Sequence, residues 1–288
     1  MDHWHRMQKN MPFLVAALSI LVGTLVLVGW TFDLTVCKSI FPGWISMKPN
    51  TAVGFILLGV TLLAPALFPS TLSLRLAYLC ALLCGLIGLL TLAEYLFAWN
   101  PGFDQWLFTE PANTVSTSHP GRMAPDTAIC FILLAAGVTL ANDARKTTMR
   151  FWLTTILGSL TMAVAVAAIL TSLTKTICAF GFWGMPLMAP PTATLFVLLS
   201  ANMVLSAWPA DVSPWSLSGK SAMGFALWSL IISGSFSWSL HQQGHHLLDS
   251  SIIAARANIN KDISFRKWAA EHGGVYVPPS EHTPPNPY

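Results

Sequence analysis

Few residues of this chain could do chemistry, and the first of them is a glutamate in an apolar run. Glu94 stands among leucine, alanine and aromatic residues, and an ionisable side chain inside a membrane segment is a functional candidate. It also lies about one and a half helical turns from the end of the run, within reach of the membrane interface beside Tyr95 and Trp99. Its position therefore fits a ligand-binding group and an interface residue equally.

A pair of histidines at helical spacing is the second candidate. His241 and His245 are four residues apart, so on a helix they share a face that could ligate a metal or a haem iron. The spacing places no third ligand, and Gly244 weakens the helix between them. A polar cluster where a helix leaves the membrane is the favoured interpretation, and haem is the alternative.

The sequence carries no recognisable catalytic motif. A nucleophile elbow, a Walker motif, a zinc-protease motif and a dinucleotide fingerprint are all missing. The five cysteines lack metal-binding spacing. Cys37 and Cys178 both fall near the outer ends of their segments, where a disulfide could form in an oxidising compartment. Because the catalytic motifs are missing, we expect no catalysis within this chain.

Composition indicates which elements must position these residues. Of the 288 residues, 54% are hydrophobic and 9% are charged, against roughly 25% charged in a soluble domain. A net charge of +3 gives no basic face for nucleic acid. We expect an all-α polytopic membrane protein, because segments of about 20 apolar residues span a bilayer as helices. Seven segments approach that length, the fourth of them short: 11–30, 51–68, 76–99, 127–141, 151–173, 192–208 and 222–240.

Basic residues in the short loops predict the orientation. With the N-terminus in the cytoplasm, the inner side holds Arg6, Lys9, Arg75, Arg145, Lys146, Arg150 and Lys220. The outer loops then hold only Lys38, Lys48, Arg122 and Lys175. This bias predicts a cytoplasmic N-terminus and, after seven spans, an extracytoplasmic tail from His241 onward.

An internal repeat organises the first six segments. The string M-x-P-[NDP]-T-A-x-x-F-[IV]-L-L occurs at 47–58, 123–134 and 188–199. Each copy opens the second helix of a hairpin, which predicts three tandem two-helix repeats and a separate seventh helix. The proline suits a first helical turn. Asn50 and Asp126 are expected at the N-cap, give or take one residue, and proline replaces that cap in the third copy.

Two interpretations of the repeated helix starts remain open. In the first, they are well-made helix starts that were duplicated. In the second, three helix N-termini on the outer side surround a pocket for an anionic or carbonyl ligand. The ligand-binding residues in that hypothesis, together with the intramembrane carboxylate, are Asn50, Thr51, Glu94, Asp126, Thr127 and Thr192.

The segment after the seventh span predicts an extramembrane helix with one narrow apolar stripe. Gly273 and Gly274 are expected to end this helix, and 275–277 reads as a short strand before a proline-rich end. Because these elements cannot bury a core, we expect the chain to stop inside a domain. The stripe is interpreted as a homodimer seam, as in a coiled coil, or as a surface that packs on a domain. Its residues are Leu248, Ile252, Ala255 and Ile259.

Two stretches resemble bacterial signalling proteins. The repeated string, the run 89–100 and the Phe-Asp-Gln at 103–105 resemble the polytopic N-terminal sensor region of sensor histidine kinases and diguanylate cyclases, over roughly 10–210. The segment 261–278 resembles the opening of a periplasmic PAS-like sensor domain, some members of which are associated with haem. The kinase and cyclase motifs of such proteins are not present in this sequence.

The resemblance implies a sensory input module that lacks its output domain in this chain. It implies the bacterial inner membrane and a cytoplasmic response regulator reached through the missing output domain, and the apolar stripe predicts a homodimer. The domains expected are a cytoplasmic tail (1–10), a six-helix repeat domain (11–210), the seventh helix (211–240) and an extracytoplasmic helix with an incomplete sensor domain (241–288). A small-molecule carrier or channel and a haem-binding membrane protein are the alternatives.

Overall fold

A computed structural model describes residues 2–39, 44–110, 119–142, 148–173, 187–207, 217–273 and 282. Throughout these ranges the regular secondary structure is helical. The helices are α1 (Asp2–Thr31), α2 (Thr35–Lys38), α3 (Pro49–Leu67), α4 (Thr71–Leu96), α5 (Pro125–Asn142), α6 (Thr148–Leu173), α7 (Pro190–Ala207) and α8 (Leu217–Glu271), with a 3₁₀ turn at Phe103–Gln105. The chain divides into two units, Met1–His241 and Gln242–Tyr288, and each is described by itself.

Five helices of the described residues are long and apolar enough to cross a membrane: Asn10–Thr31, Pro49–Leu67, Thr71–Leu96, Thr148–Ser172 and Pro190–Ala207. The fourth predicted span is a shorter apolar helix, Pro125–Ala141. The seventh, 222–240, lies within α8, where many side chains fall outside the described part of the chain, and it is not among the five. The prediction of a helical, multi-pass membrane chain is therefore confirmed in its coarse form.

Exposed surfaces of the apolar helices carry large aliphatic side chains. On α1 and α4 the outward residues include Leu14, Leu21, Leu25, Leu79, Leu82 and Leu89. The start of α4 is set by Ser70, whose Oγ accepts a hydrogen bond from the backbone N–H of Ser73 at 3.1 Å. With this N-cap, α4 begins five residues before the predicted start of the third span. A helix with an N-cap can extend beyond its purely apolar stretch.

The repeated string builds the core of the first unit. Its phenylalanine falls at Phe55 on α3, Phe131 on α5 and Phe196 on α7, and all three are fully buried. Their ring centroids are 5.1, 4.9 and 5.0 Å apart in the three pairs, a separation typical of favourable aromatic pairs. Other positions of the string are buried in every copy: Met47, Met123, Met188, Thr51, Thr127, Thr192, Ala52, Ala128, Ala193, Leu58, Leu134 and Leu199.

The three helices with the repeated string begin in the same way. Pro49, Pro125 and Pro190 occupy the first helical position, where a missing N–H costs nothing. The predicted N-cap role of Asn50 and Asp126 is wrong, because both residues are second in their helices. The Oδ1 of each residue accepts a hydrogen bond from the backbone N–H of the next threonine, at 2.8 Å for Asn50 and 2.7 Å for Asp126.

Neighbouring helices approach closely where glycine meets a backbone carbonyl. A Cβ on Gly59 of α3 would lie 2.9 Å from the carbonyl oxygen of Ala16 on α1, and one on Gly88 of α4 would lie 2.7 Å from that of Ala128 on α5. Membrane helices associate largely through such packing of small residues, because lipid provides no hydrophobic force between them. Glycine is therefore required at these contacts.

The second unit contains the last part of α8. This helix ends at Glu271, and Gly273 follows with φ +78°, in agreement with the predicted glycine stop. Ile252, Ala255 and Ile259 are exposed, so the predicted stripe is uncovered there. The side chains of Leu248, His241 and His245, and the predicted strand at 275–277, lie outside the described residues.

Candidate functional site

One end of the helical bundle of the first unit is closed by a layer that we call the cap. It consists of residues 97–110, which follow α4, residues 119–124, which precede α5, and Met47 with Lys48, which precede α3. The cap and the adjoining end of α4 bury five charged side chains: Lys48, Glu94, Asp104, Glu110 and Arg122. Buried charges need partners to offset their lost hydration, so the cap is built around ion pairs.

Arg122 is the centre of the first ion-pair cluster. Its Nε lies 2.7 Å from Oδ2 of Asp104 and 3.3 Å from Oε2 of Glu94. Its Nη2 donates to Oδ1 of Asn100 at 3.3 Å, and its guanidinium lies over the ring of Tyr95, 5.3 Å from the centroid. One guanidinium thus joins the end of α4, the 3₁₀ turn and the segment that leads into α5.

Glu94 is part of this cluster and not an interface residue. Its side chain is only 2% exposed, so the carboxylate does not reach the surface beside Tyr95 and Trp99. While Oε2 faces Arg122, Oε1 is buried and has no hydrogen-bond partner among the described residues. A buried carboxylate oxygen without a partner carries a desolvation cost, which distinguishes Glu94 from the other buried acids of the cap.

A second ion pair joins Lys48 and Glu110, which are 62 residues apart in sequence. The Lys48 Nζ donates to both oxygens of Glu110, at 2.5 and 2.7 Å. The backbone N–H of Gly121 donates to the same carboxylate at 2.6 Å. Burial lowers the pKa of Lys48, and the hydrogen bond and charge of Glu110 oppose that change.

Aromatic donors attach the cap to the repeated string. The Tyr95 hydroxyl donates to the carbonyl oxygen of Met123 at 3.2 Å, and Trp30 Nε1 donates to that of Met47 at 2.9 Å. Met47 and Met123 are the first residues of two copies of the string. The side chains of α1 and α4 therefore hold the segments that open α3 and α5.

A surface pocket of about 200 Å³ opens in the cap. The residues that line it are Asn100, Pro101, Gly102, Asp104, Gln105, His119 and Pro120. Asp104 is thus shared by the pocket and by the Arg122 cluster. A molecule that binds in the pocket would contact the side chain that holds Arg122 in place.

Gly121 is required for the cap to close. It has φ +77°, and a Cβ there would lie far inside van der Waals contact with the carbonyl oxygen of Asp104. We expect Gly121→Ala to destabilise the protein by about 1–2 kcal/mol from backbone strain and by about 1–3 kcal/mol more from the clash. Unfolding in mixed detergent–SDS micelles would measure both effects.

Gly102 provides the matched control for this substitution. It has φ +84° but no atom within 4 Å of an added Cβ, so Gly102→Ala carries the strain without the clash. Equal destabilisation by the two alanines would contradict the close packing of Gly121 against Asp104.

The residues that the sequence singled out as a ligand site have different surroundings in the structure. Glu94 joins the Arg122 cluster, whereas the oxygens of Asn50 and Asp126 serve their own helix starts. Thr51, Thr127 and Thr192 are each 2% exposed. None of the six residues lines the pocket, so the hypothesis of a pocket formed by three helix N-termini remains a prediction.

Sequence reasoning did not assign a site role to Lys48, Asp104, Glu110 or Arg122. In sequence, Lys48 and Arg122 read as loop charges, and the available signal is that both stand beside the first methionine of a copy of the repeated string. Burial of the loops gives these charges their partners.

The metal and disulfide predictions concern residues of which the structure describes only some. In that part of the chain, no three His, Cys, Asp or Glu side chains come together as a metal site. Cys37 is a half-buried free thiol, and its predicted partner Cys178 falls outside the described residues. The pairing of Cys37 with Cys178 stays a prediction, as does haem at the histidine pair.

Comparisons of the chain with protein-family models, with curated proteins and with solved structures give no match. The resemblance to sensor histidine kinases and diguanylate cyclases therefore stays a prediction.

Proposed function

We propose that this chain is a membrane-embedded sensory input module whose receptive part is the cap. The observation that carries the proposal is the double role of Asp104, which lines the pocket and binds Arg122. A ligand that binds the Asp104 carboxylate changes how that carboxylate holds Arg122, and Arg122 contacts α4 and belongs to the segment that leads into α5. Binding at the pocket thus affects α4 and α5 through a contiguous set of contacts.

The finer architecture belongs to the same proposal. The repeated string and the contact of its three phenylalanines support three two-helix repeats. The apolar character of 222–240 supports a seventh span at the start of α8. The excess of basic residues in alternate loops supports a cytoplasmic N-terminus and a tail outside the bacterial inner membrane. The output is a histidine kinase or cyclase that acts beyond this chain.

A carrier or channel is less well supported by the same contacts. A transport path needs polar groups inside the bundle, but where the repeated strings meet, the core of α3, α5 and α7 is filled by Phe55, Phe131 and Phe196. The carboxylate that suggested transport, Glu94, is held by Arg122 at the cap. Uptake into liposomes that is lost with Glu94→Gln would reverse this preference.

The proposal predicts that the cap controls the arrangement of α8 in a homodimer. We expect single cysteines at Ile252, Ala255 and Ile259 to form intermolecular disulfides in membranes, and Ala257, on the opposite face, to form few. Tyr95→Phe removes the hydrogen bond to Met123, and it should change the crosslinked fraction at the stripe several-fold. Gel mobility without reductant would measure the crosslinked fraction.

Controls separate dimerisation from coupling to the cap. Cys37 and Cys178 are replaced by serine in every variant, and Arg75→Gln removes an exposed cation outside the cap. Failure of all stripe positions to crosslink would reject the dimer. Crosslinking that is the same in Tyr95→Phe and in the parent would reject coupling, and with it the sensory proposal.

A further inference from the structure

The cap carries more negative than positive charge among its described residues. Glu94, Asp104 and Glu110 are paired with only two cations of the described residues, Lys48 and Arg122. Three carboxylates and two cations leave a charge of −1 when all are ionised. Because Lys48 is engaged by Glu110, the excess falls around Arg122 and the pocket.

The unpartnered oxygen of Glu94 lies in this excess of negative charge. The carboxylate oxygens of Glu94 and Asp104 lie 3.3 and 2.7 Å from the same nitrogen of Arg122, so the two acids are close neighbours. One guanidinium serves both, and Oε1 of Glu94 stays buried without a hydrogen bond. A second positive charge near Asp104 would offset the repulsion between the two carboxylates.

The pocket provides a place for that charge. Asp104 forms part of its wall, and the amide groups of Asn100 and Gln105 add polar groups that accept hydrogen bonds. Because Asp104 is the acidic side chain of this wall, the pocket favours a cation over an anion.

Two observations narrow the class of cation. The described residues hold no group of three metal-ligating side chains, which argues against a metal ion. The volume of about 200 Å³ lies below the roughly 300–1,000 Å³ of sites for drug-sized ligands. A small molecule with an ammonium group matches both the size and the acceptors, because an ammonium donates up to three hydrogen bonds.

We propose that the pocket formed by residues 100–105 and 119–120 binds a small organic ammonium compound through Asp104. This assignment names the ligand class of the sensory site and rests on the function proposed above. The ammonium binds at Asp104 on the pocket side, while Arg122 remains on the buried side. Occupation of the pocket then strengthens the attachment of the cap loop to α4 and α5.

Isothermal titration of the full chain in nanodiscs with ethanolamine hydrochloride tests the proposal. A ligand of this size should bind with a Kd of about 1 mM or weaker. Gln105 lines the pocket and is exposed, with no ion-pair role, so Gln105→Glu and Gln105→Lys alter the pocket charge with little risk to folding. We expect about three- to tenfold tighter binding in Gln105→Glu and a similar weakening in Gln105→Lys.

Each result of this titration bears on the proposal. Binding that follows the charge at position 105 and is lost in Asp104→Asn supports it. Equal heats with sodium chloride, equal affinity in Gln105→Glu and Gln105→Lys, or binding of sodium acetate in place of ethanolamine would overturn it. The absence of any ethanolamine heat in a folded Gln105→Glu variant would overturn it as well.

The crosslinking experiment keeps this proposal distinguishable from the sensory function. If ethanolamine does not bind but Tyr95→Phe still changes the crosslinks of α8, the module senses a ligand of another class. If ethanolamine binds as expected but the crosslinks do not respond to the cap, the pocket is a binding site without a signalling role.

Discussion

Replacing Arg122 with methionine is expected to be among the most destabilising single substitutions in the cap, at about 3–5 kcal/mol of unfolding free energy. Methionine keeps an unbranched side chain but leaves the carboxylates of Glu94 and Asp104 buried without their cation. Those charges must then become neutral or be exposed by opening of the cap. Unfolding in mixed detergent–SDS micelles, followed by tryptophan fluorescence, would measure the loss.

Two further variants test whether the loss of stability in Arg122→Met comes from the buried ion pairs. Arg75→Met removes an exposed cation at the start of α4 and should change stability by less than about 0.5 kcal/mol. The triple variant Arg122→Met, Glu94→Gln, Asp104→Asn removes the unpaired charges and should recover part of the loss. If Arg122→Met proves no more destabilising than Arg75→Met, the buried ion-pair cluster does not exist in the membrane-bound protein.

The second large effect is expected at Lys48. Lys48→Met leaves the Glu110 carboxylate, whose side chain is 1% exposed, with the Gly121 N–H as its remaining partner among the described residues. Loss of one member of a buried pair costs about 3–5 kcal/mol, whereas replacement of both members by apolar residues is often close to neutral. The double variant Lys48→Met, Glu110→Met should therefore be more stable than the single variant, and the same unfolding assay measures this.

The dependence of stability on pH gives an independent measurement at Lys48. Burial lowers the pKa of Lys48 from its ordinary value of 10.5, so between the lowered value and 10.5 the unfolded chain binds more protons than the folded chain. Lys48 should therefore make the wild type more stable as pH rises through that window. The double variant should lack this rise, and a rise of the same size there would contradict the assignment to Lys48.

The membrane architecture could be predicted because it depends on local composition. A run of apolar residues dictates a helix in lipid wherever it occurs, and five of the predicted segments meet the length and hydropathy of a span. The positions of proline at 49, 125 and 190 also follow from local geometry at a helix start. The N-cap assignment of Asn50 and Asp126 failed because a difference of two residues at a helix end depends on details of backbone geometry.

The sequence by itself determined the helical segments, the repeated string and the scarcity of charge in the bilayer, since each depends on neighbouring residues alone. Only the tertiary structure decided that Lys48 and Arg122 are buried and that Glu94 is held at the cap. These ion pairs join residues up to 62 positions apart, and no local pattern specifies which loops will meet. A loop charge is solvated until another segment covers it, and the fold alone determines whether it becomes buried and must find a partner.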